Sequence, residues 1–169
     1  ASNEKSIKLW NSSDFKEQQE SRKFPPQRKG IRRLAFSTTK PEIFFAVGDI
    51  WPTKWNYQNN SIVEYPGQSN GLLALSRDDT KLALGDGVTV HIVSTTLRKE
   101  THTVNDLAVT PTELAWSPKN DCLAMVMSDG SVQIWNTHKW SMHRLAGSPL
   151  RPPVKLCFSP DGDELLVTG

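Results

Sequence analysis

Several residue groups in this chain are typed and spaced as if for chemistry, and each has a plainer reading. Asp78-Asp79 and Asp161-x-Asp163 are paired carboxylates, the raw material of a calcium site or an acid–base couple. His138 and His143 are close in sequence, yet neither has a cysteine, histidine or carboxylate at ligand spacing on a shared strand face. Cys122 and Cys157 are the only cysteines. No Gly-rich phosphate loop, His-Glu-x-x-His, Cys-x-x-Cys or Gly-x-Ser-x-Gly occurs. Asn11-Ser12-Ser13 and Asn59-Asn60-Ser61 match the glycosylation acceptor, which means little without a secretion signal. A run of positive charge, Arg22, Lys23, Arg28 and Lys29, continues through Arg32 and Arg33, broken by Phe24-Pro25-Pro26, so it is not a helix. It reads as a solvated loop or as a contact for acidic protein or nucleic acid. The expectation is binding rather than catalysis, with no catalytic residue, metal or cofactor.

What must position these groups is clearest from Thr112 to Asn136. Leu114-Ala115-Trp116 is an apolar run stopped by the turn formers Ser117-Pro118-Lys119-Asn120-Asp121. Leu123 to Met127 is a second apolar run, closed by Ser128-Asp129-Gly130, where Gly130 can supply the positive φ of a hairpin. Ser131-Val132-Gln133-Ile134-Trp135 then alternates with period two, as a half-buried strand does. The unit is three strands and two turns.

The unit recurs. Leu34-Ala35-Phe36-Ser37, Leu73-Ala74-Leu75-Ser76, Leu114-Ala115-Trp116-Ser117 and Leu156-Cys157-Phe158-Ser159 place a serine at a period of roughly 40 residues, the spacing of propeller blades. The third strand repeats in step as Lys8-Leu9-Trp10-Asn11, Lys54-Trp55-Asn56, His91-Ile92-Val93-Ser94 and Gln133-Ile134-Trp135-Asn136. The offset from Ser37 to Trp55 equals that from Ser117 to Trp135. In that register both carboxylate pairs fall in a first hairpin turn, where Asp is favoured for local bonds to backbone, so a structural role is expected.

Lys-Ser-Ile-Lys-Leu-Trp-Asn (5–11), Ser-Asp-Gly-Ser-Val-x-Ile-Trp-Asn (128–136) and Phe-Ser-Pro-Asp-Gly (158–162) resemble WD40 repeats, strongly from 112 to 169 and weakly from 31 to 70. The resemblance implies an all-β WD40-like β-propeller segment, about four blades' worth of four-stranded antiparallel sheets. Trp10, Trp55, Ser117, Asp129 and Trp135 fall on the repeat's structural positions. The Gly-His pair usual before the first strand appears instead as Gly67-Gln68 and Gly147-Ser148, so the family's His–Asp–Ser–Trp hydrogen-bond network is expected to be incomplete.

The repeats divide the chain into 1–30 (end of a blade plus basic crossover), 31–70 (divergent blade), 71–110, 111–151 (the best-defined blade) and 152–169 (start of a blade). Three complete blades with two strands at each end suggest a segment of a longer propeller. The alternative is self-closure, the last two strands pairing with the first two. The 169 residues carry 20 basic and 18 acidic side chains, a net charge of +2, which suits one domain or part of one. No apolar run approaches a membrane span, and the start does not resemble a signal peptide. Cys157 takes the small-residue slot of Ala35, Ala74 and Ala115 and is expected to pack buried. Cys122 takes a polar slot, so a disulfide is not expected and a cytoplasmic home, or a nuclear one, is.

Within the divergent blade, Asp49 keeps the register of Asp129, and Ile50-Trp51-Pro52 replaces Gly-Ser-Val. Pro52 lacks a donor, so the third strand should start late and leave Trp51 in the turn, folded back or presented as an anchor. His91, in the slot of Lys8 and Gln133, is expected to point to solvent. Gly147 to Pro153 reads as a stiff crossover.

Three function classes remain. The first is a non-catalytic protein–protein interaction scaffold or sensor module of a larger assembly, binding through a few anchors on rigid loops. By resemblance its docking rim is made by the loops between second and third strands and by the inter-blade crossovers, on or near which Arg32, Trp51 and Arg151 fall. The second is an RNA-associated propeller of a ribonucleoprotein, using Arg22, Lys23, Arg28, Lys29 and Arg33. The third is a regulatory propeller attached to an enzyme or signalling NTPase. Neither a membrane nor a small-molecule substrate is expected as partner.

Overall fold

Period-two patterning and glycine- or asparagine-bearing turns leave this chain one way to bury its apolar residues, as short antiparallel strands stacked sheet on sheet. The structure, a computed structural model, describes residues 7, 9–17, 30–48, 51–145 and 155–168. Every described element is a strand or a turn. Blade two contains β1 (Ile31–Phe36), β2 (Ile43–Gly48), β3 (Thr53–Asn56) and β4 (Ile62–Glu64). Blade three contains β5 (Leu72–Leu75), β6 (Lys81–Asp86), β7 (Thr89–Ser94) and β8 (Lys99–Val104). Blade four contains β9 (Pro111–Trp116), β10 (Cys122–Met127), β11 (Val132–Asn136) and β12 (Ser141–Arg144). Blade five contributes β13 (Lys155–Phe158) and β14 (Leu165–Thr168). Each sheet is an antiparallel meander in chain order. In the opening stretch a single antiparallel bridge joins Trp10 to Glu17.

The first strands β1, β5, β9 and β13 lie side by side and form the inner edge of the array. The second strands β2, β6 and β10 are the most buried, because each is flanked within its sheet and covered on both faces. Burying each of Leu82, Leu84 and Leu123 supplies about 1.5–3 kcal/mol. The core is thus divided into layers between blades. Phe45, Tyr65, Leu73, Leu82, Leu84 and Val93 join blades two and three. Ala74, Ile92, Leu114, Trp116, Leu123 and Met125 join three and four. Val126, Val132, Leu156, Leu165 and Val167 join four and five. Trp55, Val93 and Trp135 hold one register position, opposite Phe44, Leu82 and Leu123.

As Pro52 required, β3 begins at Thr53. Two expectations fail. Cys157 is exposed, because the β13–β14 face that carries it is not covered by any described residue. His91 is half-buried, with 21% of its side chain exposed and its Nδ1 2.7 Å from Glu100 Oε2 on the neighbouring strand β8. Both cysteines are free thiols. Among the described residues, β14 pairs with β13, and Ile7 packs on Phe44, Ala46 and Trp55 of blade two. The Asp49 position and the 147–153 crossover lie outside the described residues.

Candidate interaction site

At one end of the array, the turn after each first strand is tied to the next blade by a residue with positive φ. Asp79 and Asn120 sit three residues after Ser76 and Ser117, with φ of 58° and 60°, a region Asp and Asn tolerate better than most residues. From blade three, Asp79 accepts hydrogen bonds from Ser37 Oγ (2.5 Å), Thr38 N (3.0 Å), Thr39 N (3.0 Å) and Thr39 Oγ1 of blade two. From blade four, Asn120 Oδ1 accepts from Arg77 N of blade three (2.9 Å). Blade five has Gly162 at this position. A Cβ there would be strained by the φ of +76° and would press on Ser117 Oγ at 3.1 Å. Lys119 reaches Asp163 across the same seam. Half of the paired-acid reading therefore needs correcting. Asp78 and Asp161 make the expected local bonds, to Ser76 and Thr80 and to Ser159 and Asp163. Asp79 and Asp163 instead bridge blades. Burial pushes the Asp79 carboxyl up, but the hydroxyl and backbone donors outweigh it and hold the group below the usual carboxylate range.

The inner edge carries a charged chain the repeat pattern hides. Glu113 on β9, with only 10% of its side chain exposed, accepts from Arg33 of β1 at 2.5 and 2.9 Å and from Lys155 of β13 at 2.6 Å. Burial raises the Glu113 carboxyl, but the bonds from Arg33 and then Lys155 lower it further, leaving it below its ordinary value. Arg33, a candidate contact for an acidic partner or nucleic acid, is thus engaged inside the array. Arg22, Lys23, Arg28 and Lys29 lie outside the described residues, as does Arg151.

At the opposite end from the serine turns lie the loops between second and third strands and the crossovers. Trp51 stands there, 46% exposed, immediately before buried Pro52. Arg32 is exposed, with its stem packed where a Cβ on Gly71 (φ +103°) would fall and its Nη1 3.4 Å from the Asn70 carbonyl. A side chain at 71 would collide with Arg32 Cβ at 2.9 Å, so this crossover needs glycine. Among the described residues no group of three or more His, Cys, Asp or Glu is placed to hold a metal ion. No described helix is long and apolar enough to cross a membrane.

Residues 93–136, which span the end of blade three and most of blade four, match the family model described as WD domain, G-beta repeat. The matched stretch is a WD40 repeat, and the fold is that of a WD40-type β-propeller segment. Solved structures with this fold include the hydrazine synthase of Kuenenia stuttgartiensis, with a TM-score of 0.66 at 16% identity over 82% of this chain and 42% of that one. The WD40 repeats of RRP9 superpose with a TM-score of 0.63 at 18% identity, over 83% of this chain and 51% of that one. The chain therefore spans less than two thirds of either structure. No curated protein is matched by sequence.

Among the described residues, the WD40 network of histidine, aspartate, serine and tryptophan is not formed in the best-defined blade. Trp135 Nε1 donates to Gln133 Oε1 at 3.1 Å, Asp129 accepts from Ser131, and Ser117 Oγ accepts from Lys119 N. Trp55 is buried edge-on to Phe44, 5.1 Å between centroids, whereas Trp10 is exposed. Glu113 and Lys155 escaped the sequence reading, as did the bonds of Asp79 to the neighbouring blade. Comparing one register position across repeats exposes Glu113 and Lys155: Arg33, Leu72, Glu113 and Lys155 each precede the repeat serine by four residues, three of them charged with mixed sign.

Proposed function

We propose that this WD40 array is a non-catalytic scaffold that holds other proteins at the rim carrying Trp51. WD40 repeats imply a platform kind of role, and one observation supports the finer assignment. A large aromatic side chain stands half-exposed on a loop anchored between buried strands, which is how a rigid hot spot is presented. Arg32, fixed against Gly71, and Arg151 are the proposed companions. The nucleic-acid alternative has less support, since Arg33 is committed to Glu113. The likeness to hydrazine synthase at 16% identity concerns fold and carries no reaction across. The proposed setting is the cytoplasm or nucleus.

The test is quantitative affinity capture by wild type and Trp51→Ala, with thermal unfolding measured in parallel. Loss of about tenfold or more of the retained protein at an unchanged Tm supports the rim, since truncating a hot spot costs about 2 kcal/mol or more. Retention of the same proteins by both forms at equal level removes Trp51 as the anchor.

A further inference from the structure

Corresponding rows run across each blade on the face turned to the next. In blade three the row is Ala74, Ala83, Ile92, His102, and in blade four it is Ala115, Ala124, Ile134, His143. In blade two it is Ala35, Phe45, Lys54, Val63. A lysine thus occupies the slot of two isoleucines, with apolar Phe45 and Val63 beside it in the blade-two/three layer. The turn after each third strand ends in a positive-φ residue: Asn60, Arg98 (φ 52°) and Trp140 (φ 52°). Trp140 of blade four lies over blade three's outer strand, stacked on His102 at 3.9 Å and 11°. Arg98 takes Trp140's place over blade two, and Tyr65 of blade two ties that turn down through a bond from its hydroxyl to the Thr95 carbonyl at 3.3 Å.

Arg98 and Lys40 both lie within electrostatic reach of Lys54, and Arg98 also of Tyr65. The Lys54 ammonium is held below its ordinary range first by burial, then by Arg98, then by Lys40. Geometry puts all three at this seam: Lys54 lies opposite Phe45, Arg98 is in the turn that Tyr65 ties to blade two, and the Lys40 N–H donates to Ser37, itself bonded to Asp79 across the seam. Asp79, in the adjoining turn, directs its carboxylate to Ser37, Thr38 and Thr39. Glu100 is taken by His91 and Thr103. The charge is concentrated at one point instead of spread in a stripe, and the groove presents no exposed aromatic for a base to stack on, since Tyr65 is buried. Both features suit a carboxylate on a polypeptide better than a nucleic-acid backbone.

We propose that the groove between blades two and three, lined by Lys40, Lys54 and Arg98, binds an acidic segment of a partner protein by seating a carboxylate where blades three and four seat the His102–Trp140 stack. Lys40 and Arg98 belong to turns at the other end of the blades from Trp51 and Lys54 lies along β3 between the ends, so this site stands or falls independently of the Trp51 rim.

Fluorescence anisotropy of the full chain tests this, with a fluorescein-labelled dodecapeptide of alternating Asp and Glu, its Asn/Gln counterpart, and an oligouridylate of equal charge. The acidic peptide should bind, weaken with salt, and lose about tenfold or more in affinity with Lys54→Ile and with Arg98→Asn, one charge-assisted bond being removed each time. Isoleucine is the residue of the sister blades and asparagine tolerates the positive φ, so both variants keep the fold. Trp51→Ala should leave this affinity unchanged. Equal binding by wild type and both groove variants overturns the proposal. So does tighter binding of the oligouridylate with the same variant losses, which would make the groove a nucleic-acid site. Competition by millimolar inorganic phosphate as effective as by free peptide would also overturn it, reducing the site to a simple anion pocket.

Discussion

The two grooves on either side of blade three are built to one plan and filled with opposite chemistry. Between blades three and four, Ile92 is buried and His102 stacks on Trp140, so the outer end of the seam is closed by apolar and aromatic surface. Between blades two and three the matching places hold Lys54, Val63 and Arg98, with Lys40 in the adjoining turn, whereas in the other seam the cation Lys81 lies over the Trp116 ring at 5.8 Å. The ties at the serine turns differ in the same sense. Asp79 spans the first seam as a carboxylate and Asn120 spans the second as a neutral amide. One seam is a finished interface. The other is held by a carboxylate and carries Lys54, Lys40 and Arg98 beside it.

Exchanging the two characters gives the largest effect. Ile92→Lys puts a charge into the closed seam, where no groove opens to water, and should cost about 4 kcal/mol or more in urea-induced unfolding. A loss near 1 kcal/mol would mean that both seams tolerate charge alike, and the contrast would disappear. Removing the carboxylate tie comes next. Asp79→Ala should cost about 2 kcal/mol at neutral pH, discounted for partial exposure, because several donors on blade two lose their acceptor. Since the Asp79 carboxyl is held below its ordinary range, its contribution is complete above about pH 4 and fades as pH falls through the lowered folded value. Wild type and Asp79→Ala should therefore converge in acid, and a gap that persists there would assign the loss to packing. The smallest effect has the opposite sign. Lys54→Ile should stabilise by about 1 kcal/mol or less at pH 7, the group being half-exposed and screened. The folded state disfavours the Lys54 ammonium, so wild-type stability should rise between the lowered folded value and about pH 10, and the gap should narrow over that window. A wild type more stable than Lys54→Ile would mean that the lysine is paired in solution.

Reading the chain alone recovers the blades because their signals are local. The Ser-Pro-Asp-Gly turns and the alternating third strands state a strand and a reversal within a few residues of each other. Pro52 likewise foretold the late start of β3. The misses are side chains whose surroundings come from another repeat. Cys157 was assigned by analogy with Ala74, which another blade covers, whereas no described blade covers Cys157. Asp79 was assigned to its own turn, yet at φ 58° its side chain points at blade two. His91 was sent to solvent because nothing nearby in sequence shows Glu100 beside it across the ladder. Glu113 looks like one more polar residue near the start of a strand until the inner edge brings Arg33 and Lys155 to it.

The order of strands, the meander and the apolar layers between sheets were decided by the polypeptide itself, since period-two burial and positive-φ turns are properties of neighbouring residues. Which charges are spent and which stand open was decided only by the stacking of blades. Arg33 and Lys54 are both cations on strands in the linear text, and it is the distance to residues on other strands and blades that engages one with a carboxylate and leaves the other among its own sign.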